Sequence, residues 1–533
     1  MKIFKNKKRK YITIISLASV FIVIGLCITY YNSIPKEEPL IGAYIDGTYS
    51  EMLPTKDSGY GVEKIVCDNN KNASWDYNKW GIKLSNWGTR SKCNIYFKSL
   101  ESFALANKTF YLDELQRCPT MNSDGTVTVT GAEDTYGYLC RAKDAYGDSY
   151  YYRGNVTNNY VKFADKYWRI VRINGDGTVR VIYDGTSAHA NGESSSDRQI
   201  GTSAFNRYWK KDNVQESTRS DIYYDNAGVG YMYGNRDGIV EQSTQYSTSS
   251  YTNTNTYYIA KEYTYNASTD RFTLKDPIAV LGSAMTSDYV GYYTFNRTSS
   301  SGSYQYVYKI TSVTAGSSSA RVGYKYVTYG TTSKEKAQTN TNDSTIKAYL
   351  DNWYKTNIVG TTNEQYLADN VFCNDRSIST GTSSGYSNLG YGTERTAYRW
   401  YYWADDTYNN KMMLTCPQKN DAFTVNDTSK GNGALTYPVG LLSTDEIVLA
   451  GGWSASNSGY YLYSGQYWWA SSPGYFYGNY AFVRNVYSNG IANNCGGVSD
   501  SGYYGGARPV ISLSSEVLEH GDGTMNNPYH AAS

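Results

Sequence analysis

Residues 12–31 (ITIISLASVFIVIGLCITYY) form an uncharged apolar run, preceded by a tail with Lys2, Lys5, Lys7, Lys8, Arg9 and Lys10 and no acid. A helix needs about 20 mainly apolar residues to cross the hydrocarbon core, and basic flanks stay on the cytoplasmic side. The expectation is a cytoplasmic tail at 1–10, a single transmembrane helix at 11–32, and the bulk of the chain outside the cell. A cleaved signal peptide is the competing reading. Its apolar core usually spans about 7–15 residues and ends at a small-residue site, whereas this run is longer and no A-x-A follows it. A lipid anchor on Cys27 would want a small residue where Leu26 stands. Both readings of the run export the rest.

The tail also distorts the overall charge. Without its six basic residues the chain holds 44 Lys+Arg against 48 Asp+Glu, a net −4 over residues 11–533. No basic stripe remains to track phosphates, so nucleic acid is not an expected partner. Export permits disulfides. Cys67, Cys93, Cys118, Cys140, Cys373, Cys416 and Cys495 lie beyond the apolar run, with no C-x-x-C pair and with His189, His520 and His530 far away in sequence. That spacing gives a metal site little support. Neighbouring pairs 67–93, 118–140 and 373–416 are the natural guess, although connectivity does not follow from sequence. Cys495 is left over.

Tyrosine accounts for 59 of the 533 residues against 13 Phe, and aromatic and β-branched residues favour strands. Turn residues every few positions over 42–97, after a stalk at 33–41, suggest a small β-sandwich-like domain stapled by Cys67 and Cys93. Trp75, Trp80 and Trp87 between those cysteines invite an immunoglobulin reading, but the spacing is too short for that fold's inter-sheet bridge. Residues 98–148 read as a connector, with a helical stretch at 99–118 and a hairpin fragment at TMNSDGTVTVTG. The main domain is expected over 149–212 and 334–533, interrupted by a β-rich insertion at 213–333. YWRIVRINGDGTVRVIYDG reads as two strands about a turn at 174–177. A calcium loop there would lack its twelfth-position acid. Two helices stand out: one behind Asp343 or Ser344 carrying Ile346, Leu350, Trp353 and Ile358, and one opened by a capping box from Ser443 to Glu446 with Leu442 and Ile447 as its staple.

After Gly459 come Trp468-Trp469-x-Ser471-x-Pro473, a Gly/Asn/Ser/Tyr tract at 474–506, and Gly506-x-Arg508-Pro509-Val510. With the YWRIVRI hairpin and the two helices in the same order, this frame resembles a bacterial surface-protein family whose fold is similar to that of C-type lectins and formylglycine-generating enzymes. It is also similar to the variable proteins of diversity-generating retroelements. The resemblance implies a mostly β (α+β) chain whose C-type-lectin-like domain spans roughly 149–529 around the insertion. In that family a rigid scaffold displays a mutable patch, and adenine changes in Asn codons yield Tyr, Ser, Asp and Gly. The tract is rich in these residues, and Cys495 fits as one sampled outcome. A fixed polar loop is the alternative.

Tyr among small polar residues is the mixture of antibody paratopes, where it gives wide amphipathic contact at low entropy cost. Candidate ligand-binding residues are Tyr475, Phe476, Tyr477, Asn479, Tyr480, Tyr487, Asn489, Asn493, Asn494, Tyr503 and Tyr504. Trp468, Trp469 and Arg508-Pro509 read as framework. No H-E-x-x-H or phosphate loop occurs, and the relatives' reactive cysteine pair is absent, so neither catalysis nor a cofactor is expected. The expected function is adhesion or reception, binding a protein or glycan on another cell or surface. A wall-associated structural or carbohydrate-processing role is the alternative, and would need two carboxylates across a cleft.

Overall fold

The computed structural model describes residues 41–531 except 56–59, 69–71, 77–78, 86–91, 100–117, 207–224, 245–246, 297–301, 381–385, 403–409, 478–479, 493 and 500–504. The tail and transmembrane helix expected over 1–32, the stalk up to residue 40 and nearly all of the helix expected at 99–118 lie outside the described residues. Among the described residues no helix is long and apolar enough to cross a membrane. The fold is mostly β, built of several sheets.

In the small N-terminal domain four strands pair in the order Thr48–Ser50, Ile41–Ile45, Cys93–Ser99, Tyr60–Cys67, the middle two parallel. The hairpin of Asn72–Asp76 and Gly81–Ser85 seals this sheet through Trp75, which meets Phe97 edge-on at 5.3 Å among Ala43, Val62 and Ile95. Cys67 and Cys93 are register partners on adjacent strands of one sheet. Their bridge therefore differs from the immunoglobulin bridge between facing sheets. Ala368 of the main domain joins this core, and Ser515 Oγ donates to Val62 O at 2.6 Å.

The main sheet runs Leu367–Ala368, Val510–Leu513, Val179–Gly185, Lys166–Ile173, Gly147–Gly154, Gly137–Asp144, with Tyr160–Phe163 also against Lys166–Ile173. The boundary expected at Ser149 falls inside one of these strands. Gly137–Asp144, expected in the connector, is the sheet's edge strand. It alternates buried Cys140 and Ala142 with exposed Arg141 and Lys143, and its tight turn to Gly147 fixes the register. The expected turn at 174–177 is present. Asn174 N–H and O both engage it, and Asp176 accepts the Thr178 N–H and hydroxyl.

Met232–Tyr233 and Asn342–Asp343 pair to close the neck of the insertion. Beyond it a second seven-stranded sheet runs from Gly238–Glu241 to Ser319–Gly330, with a separate hairpin of Glu262–Asn266 and Arg271–Lys275. Tyr251 and Tyr257 stack at 3.9 Å in its core, and Tyr308, Tyr324 and Tyr326 are buried against one another. Much of the tyrosine excess is thus packing, not display.

The helix Thr345–Asn357 is capped by Ser344, which accepts the Lys347 N–H, and it buries Ile346 and Leu350. Trp353 meets Trp168 and Tyr183, each at 5.9 Å. The helix Thr444–Leu449 has the expected capping box between Ser443 and Glu446, with Leu442 and Ile447 in the core.

Candidate functional site

The tract 474–506 enters a four-stranded antiparallel sheet ordered Thr396–Ala397, Trp468–Tyr477, Tyr480–Val486, Asn494–Gly497. Strand side chains alternate between faces, and the register sorts the tract accordingly. Phe476 lies opposite Ala481, and both are fully buried. Tyr475 lies opposite Phe482, and Tyr477 opposite Tyr480, on the other face.

That outer face is continuous aromatic surface. Tyr475 and Phe482 stack at 4.5 Å, Tyr480 lies 6.3 Å from Phe482, and Tyr401 meets Tyr475 edge-on at 5.1 Å. Tyr386 packs 5.0 Å from Tyr401, their hydroxyls 3.1 Å apart, and 6.2 Å from Tyr477. The Arg395 guanidinium sits 4.2 Å from the Tyr477 ring centre and 5.0 Å from that of Tyr386, within the range of cation–π attraction. Tyr477 and Tyr480, at the hairpin tip, are 42% and 45% exposed. Burial, with Cys495 and Tyr401 nearby, pushes the Tyr475 hydroxyl up to about 12, so it remains a neutral donor at physiological pH.

The surface is anchored from below. Arg484 donates to the carbonyls of Trp400 and Tyr401, tying the segment that carries Tyr401 to the middle strand. Cys495, which forms no disulfide, lies beside Arg484 and Tyr475, and burial raises its thiol pKa. A Cβ at Gly474 would stand 2.6 Å from Cys495 Sγ, so a side chain there would have to displace the thiol. Trp469 donates from Nε1 to Ser203 O at 2.8 Å and meets Phe205 at 5.8 Å. Trp468 lies under the Arg508 guanidinium, 5.1 Å from its ring centre. Its Nε1 meets no acceptor among the described residues. Arg508 is held by Asp184, Tyr183 O and Leu462 O. The residues read as framework are buried in the scaffold.

The structure divides the predicted ligand-binding residues. Tyr475, Tyr477 and Tyr480 share the aromatic face. Phe476 is corrected to a core residue, because its odd place in the strand turns it inward. Tyr487 is half-buried against Tyr467 at 5.0 Å, and Asn489 is bonded to Ser456 in an exposed turn. Both follow the far end of Tyr480–Val486, roughly 20 Å along the strand from the tip at about 3.3 Å per residue. Asn494 lies in the strand Asn494–Gly497, its Cα opposite Asn485. Asn479, Asn493, Tyr503 and Tyr504 lie outside the described residues. Phe482, Tyr386, Arg395 and Tyr401 were not anticipated. Alternation from Tyr480 points to Phe482, and the aromatic run TAYRWYYW at 396–403 was the available signal for Tyr401, whereas nothing local marks Tyr386 or Arg395.

The six cysteines expected to pair do so as Cys67–Cys93, Cys118–Cys140 and Cys373–Cys416. Acid pairs are held by arginines. Arg399 bridges Asp375 and Asp445, and Arg172 and Arg180 reach Glu446 at 3.3 and 3.2 Å. Asp445 also accepts hydrogen bonds from Trp400 Nε1 and Met413 N. Among the described residues no group of three or more His, Cys, Asp or Glu is placed to hold a metal. No protein-family model, curated protein or solved structure matches the chain.

Proposed function

We propose that this chain is a membrane-anchored surface protein that binds a protein or glycan on another cell or surface through the aromatic face around Tyr477 and Tyr480. On this reading the main domain is C-type-lectin-like, and the small domain stands between it and the membrane segment in chain order. The observation that carries the proposal is the pairing of Tyr477 with Tyr480 at a hairpin tip, exposed on one face while Phe476 and Ala481 seal the other. An exposed aromatic cluster needs a reason, and Tyr and Arg dominate binding hot spots. Three disulfides accord with an oxidising compartment.

The test is a screen of the full-length protein against arrays of glycans and surface proteins, with the Arg395→Ala variant alongside. The proposal expects at least one target bound by the wild type and weakened in the variant. Targets bound equally by both, or none at all, would count against it.

A further inference from the structure

The insertion sheet ends in a strand, Ile278–Leu281, whose sequence is I-A-V-L and whose single neighbour among the described residues is Thr256–Ala260. Natural edge strands are usually blunted by charge, proline or a cover. Here Ile278 and Leu281 are 47% and 48% exposed, and Ala279 is exposed as well. Val280 alone turns into the core, against Tyr257 and Ile259.

The hydrogen-bond phase of this edge can be read from one contact. Gly282 N–H donates to Asn255 O at 2.9 Å, continuing the register in which Leu281 lies opposite Thr256. Antiparallel ladders alternate between pairs that exchange bonds and pairs that do not. Gly282, Val280 and Ile278 therefore point their backbone groups inward, and Leu281, Ala279 and Pro277 point theirs outward. Leu281 is the N-cap of the 3-10 turn Gly282–Ala284, so its carbonyl is engaged by that turn. Pro277 has no N–H. The outward edge is thus a fixed pattern: a carbonyl at 277, a donor and a carbonyl at 279, and a donor at 281.

This pattern is its own complement. With a two-fold axis through Ala279, the two copies of Ala279 exchange a pair of hydrogen bonds. Each Leu281 N–H then faces the Pro277 carbonyl of the second copy. The missing proline donor falls opposite a carbonyl that does not need one. Ala279, the smallest residue of the strand, sits at the axis, its two copies forming a hydrogen-bonded pair with Cα atoms about 5.5 Å apart. The strand ends at the positive-φ Asp276 on one side and at the 3-10 turn Gly282–Ala284 on the other, and Ile278–Leu281 itself carries no charge, so no like charges oppose each other within the pairing. We infer that Ile278–Leu281 is a self-association edge, joining two copies of this chain into one antiparallel sheet across the insertions. This inference is independent of the aromatic face and of what that face binds.

The experiment uses full-length protein in detergent micelles with Cys27 and Cys495 replaced by serine. Ala279→Cys is compared with Ala267→Cys, which sits on the exposed turn of the neighbouring hairpin. The inference expects Ala279→Cys to form an intermolecular disulfide several-fold faster under mild oxidation. In the otherwise native chain, Ala279→Lys sets two ammonium groups against each other and should lower the dimer fraction measured by light scattering, with an unchanged melting temperature. Equal cross-linking rates at 279 and 267, or a dimer fraction indifferent to Ala279→Lys, would overturn it.

Discussion

Arg508 meets Asp184 at 2.9 Å across 324 residues of chain, and neither side chain is exposed. The same carboxylate receives Arg198 at 2.8 Å and lies 3.9 Å from Arg169. One buried acid thus faces three guanidinium groups, whose other donors go to carbonyls of Val156, Tyr183, Glu193, Tyr461 and Leu462 and to the Asn159 and Asn191 side chains. Removing one partner of a buried ion pair costs about 3–5 kcal/mol. Asp184→Asn should lower the unfolding free energy in urea by that order. A loss under about 1 kcal/mol would mean that the carbonyl cage suffices alone.

A second charged knot is built around a histidine. His189 lies between Glu193 at 2.7 Å and Asp197 at 2.9 Å. Burial opposes a charge on the ring, but the hydrogen bonds to Asp197 and Glu193 outweigh it and hold the pKa above the ordinary histidine value. A group whose folded pKa is raised stabilises fully below its unfolded pKa, about 6.5 for histidine, and loses that contribution as pH rises through the folded value. Wild type should therefore melt well above His189→Gln below about pH 6, the gap closing in alkaline buffer. A pH-independent gap would contradict this account.

The contact between the small and main domains carries a titration of its own. Burial against the small domain pushes Glu516 up to about 7, and the Glu519 charge adds to the shift. The neutral acid suits this interface, so its contribution is complete below the unfolded carboxylate range and fades as pH climbs toward 7. Glu516→Gln should melt higher than wild type at pH 8 and equally at pH 4. Wild type melting higher at pH 8 would mean that ionised Glu516 helps the interface.

Peptide mapping under non-reducing conditions should recover the three bridges and find Cys495 as a free thiol. Native alkylation of Cys495 should be slow, because burial raises its pKa and the thiolate is the reacting species. A Cys416–Cys495 peptide would contradict the site as described.

Local structure is legible in the chain where one short segment carries the physics. The Ser443–Glu446 box, the turn at 174–177 and the helix over Ile346 and Leu350 depend on residues within a few positions of each other. Strand pairing was harder. Gly137–Asp144 carries a clear alternation, but its Gly and charged residues resemble a connector until it is set beside Gly147–Gly154. The site was half legible for the same reason. Composition found Tyr477 and Tyr480, but it could not tell that Phe476 turns inward. Nor could it tell that Tyr386, Arg395 and Tyr401, 76 to 91 residues before Tyr477, arrive on the same face.

Phe476 and Tyr477 are neighbours in sequence and opposites in the fold, and comparing their alanine variants tests the central claim most directly. A core Phe→Ala change costs about 3–5 kcal/mol, whereas surface changes usually stay within about 0.5 kcal/mol. Phe476→Ala should melt early. Tyr477→Ala should melt with the wild type yet lose about 2 kcal/mol of binding to whatever target the array screen returns, roughly thirtyfold in Kd. If Tyr477→Ala instead melts early and binds as wild type once folded, the aromatic face is core and the binding account is wrong.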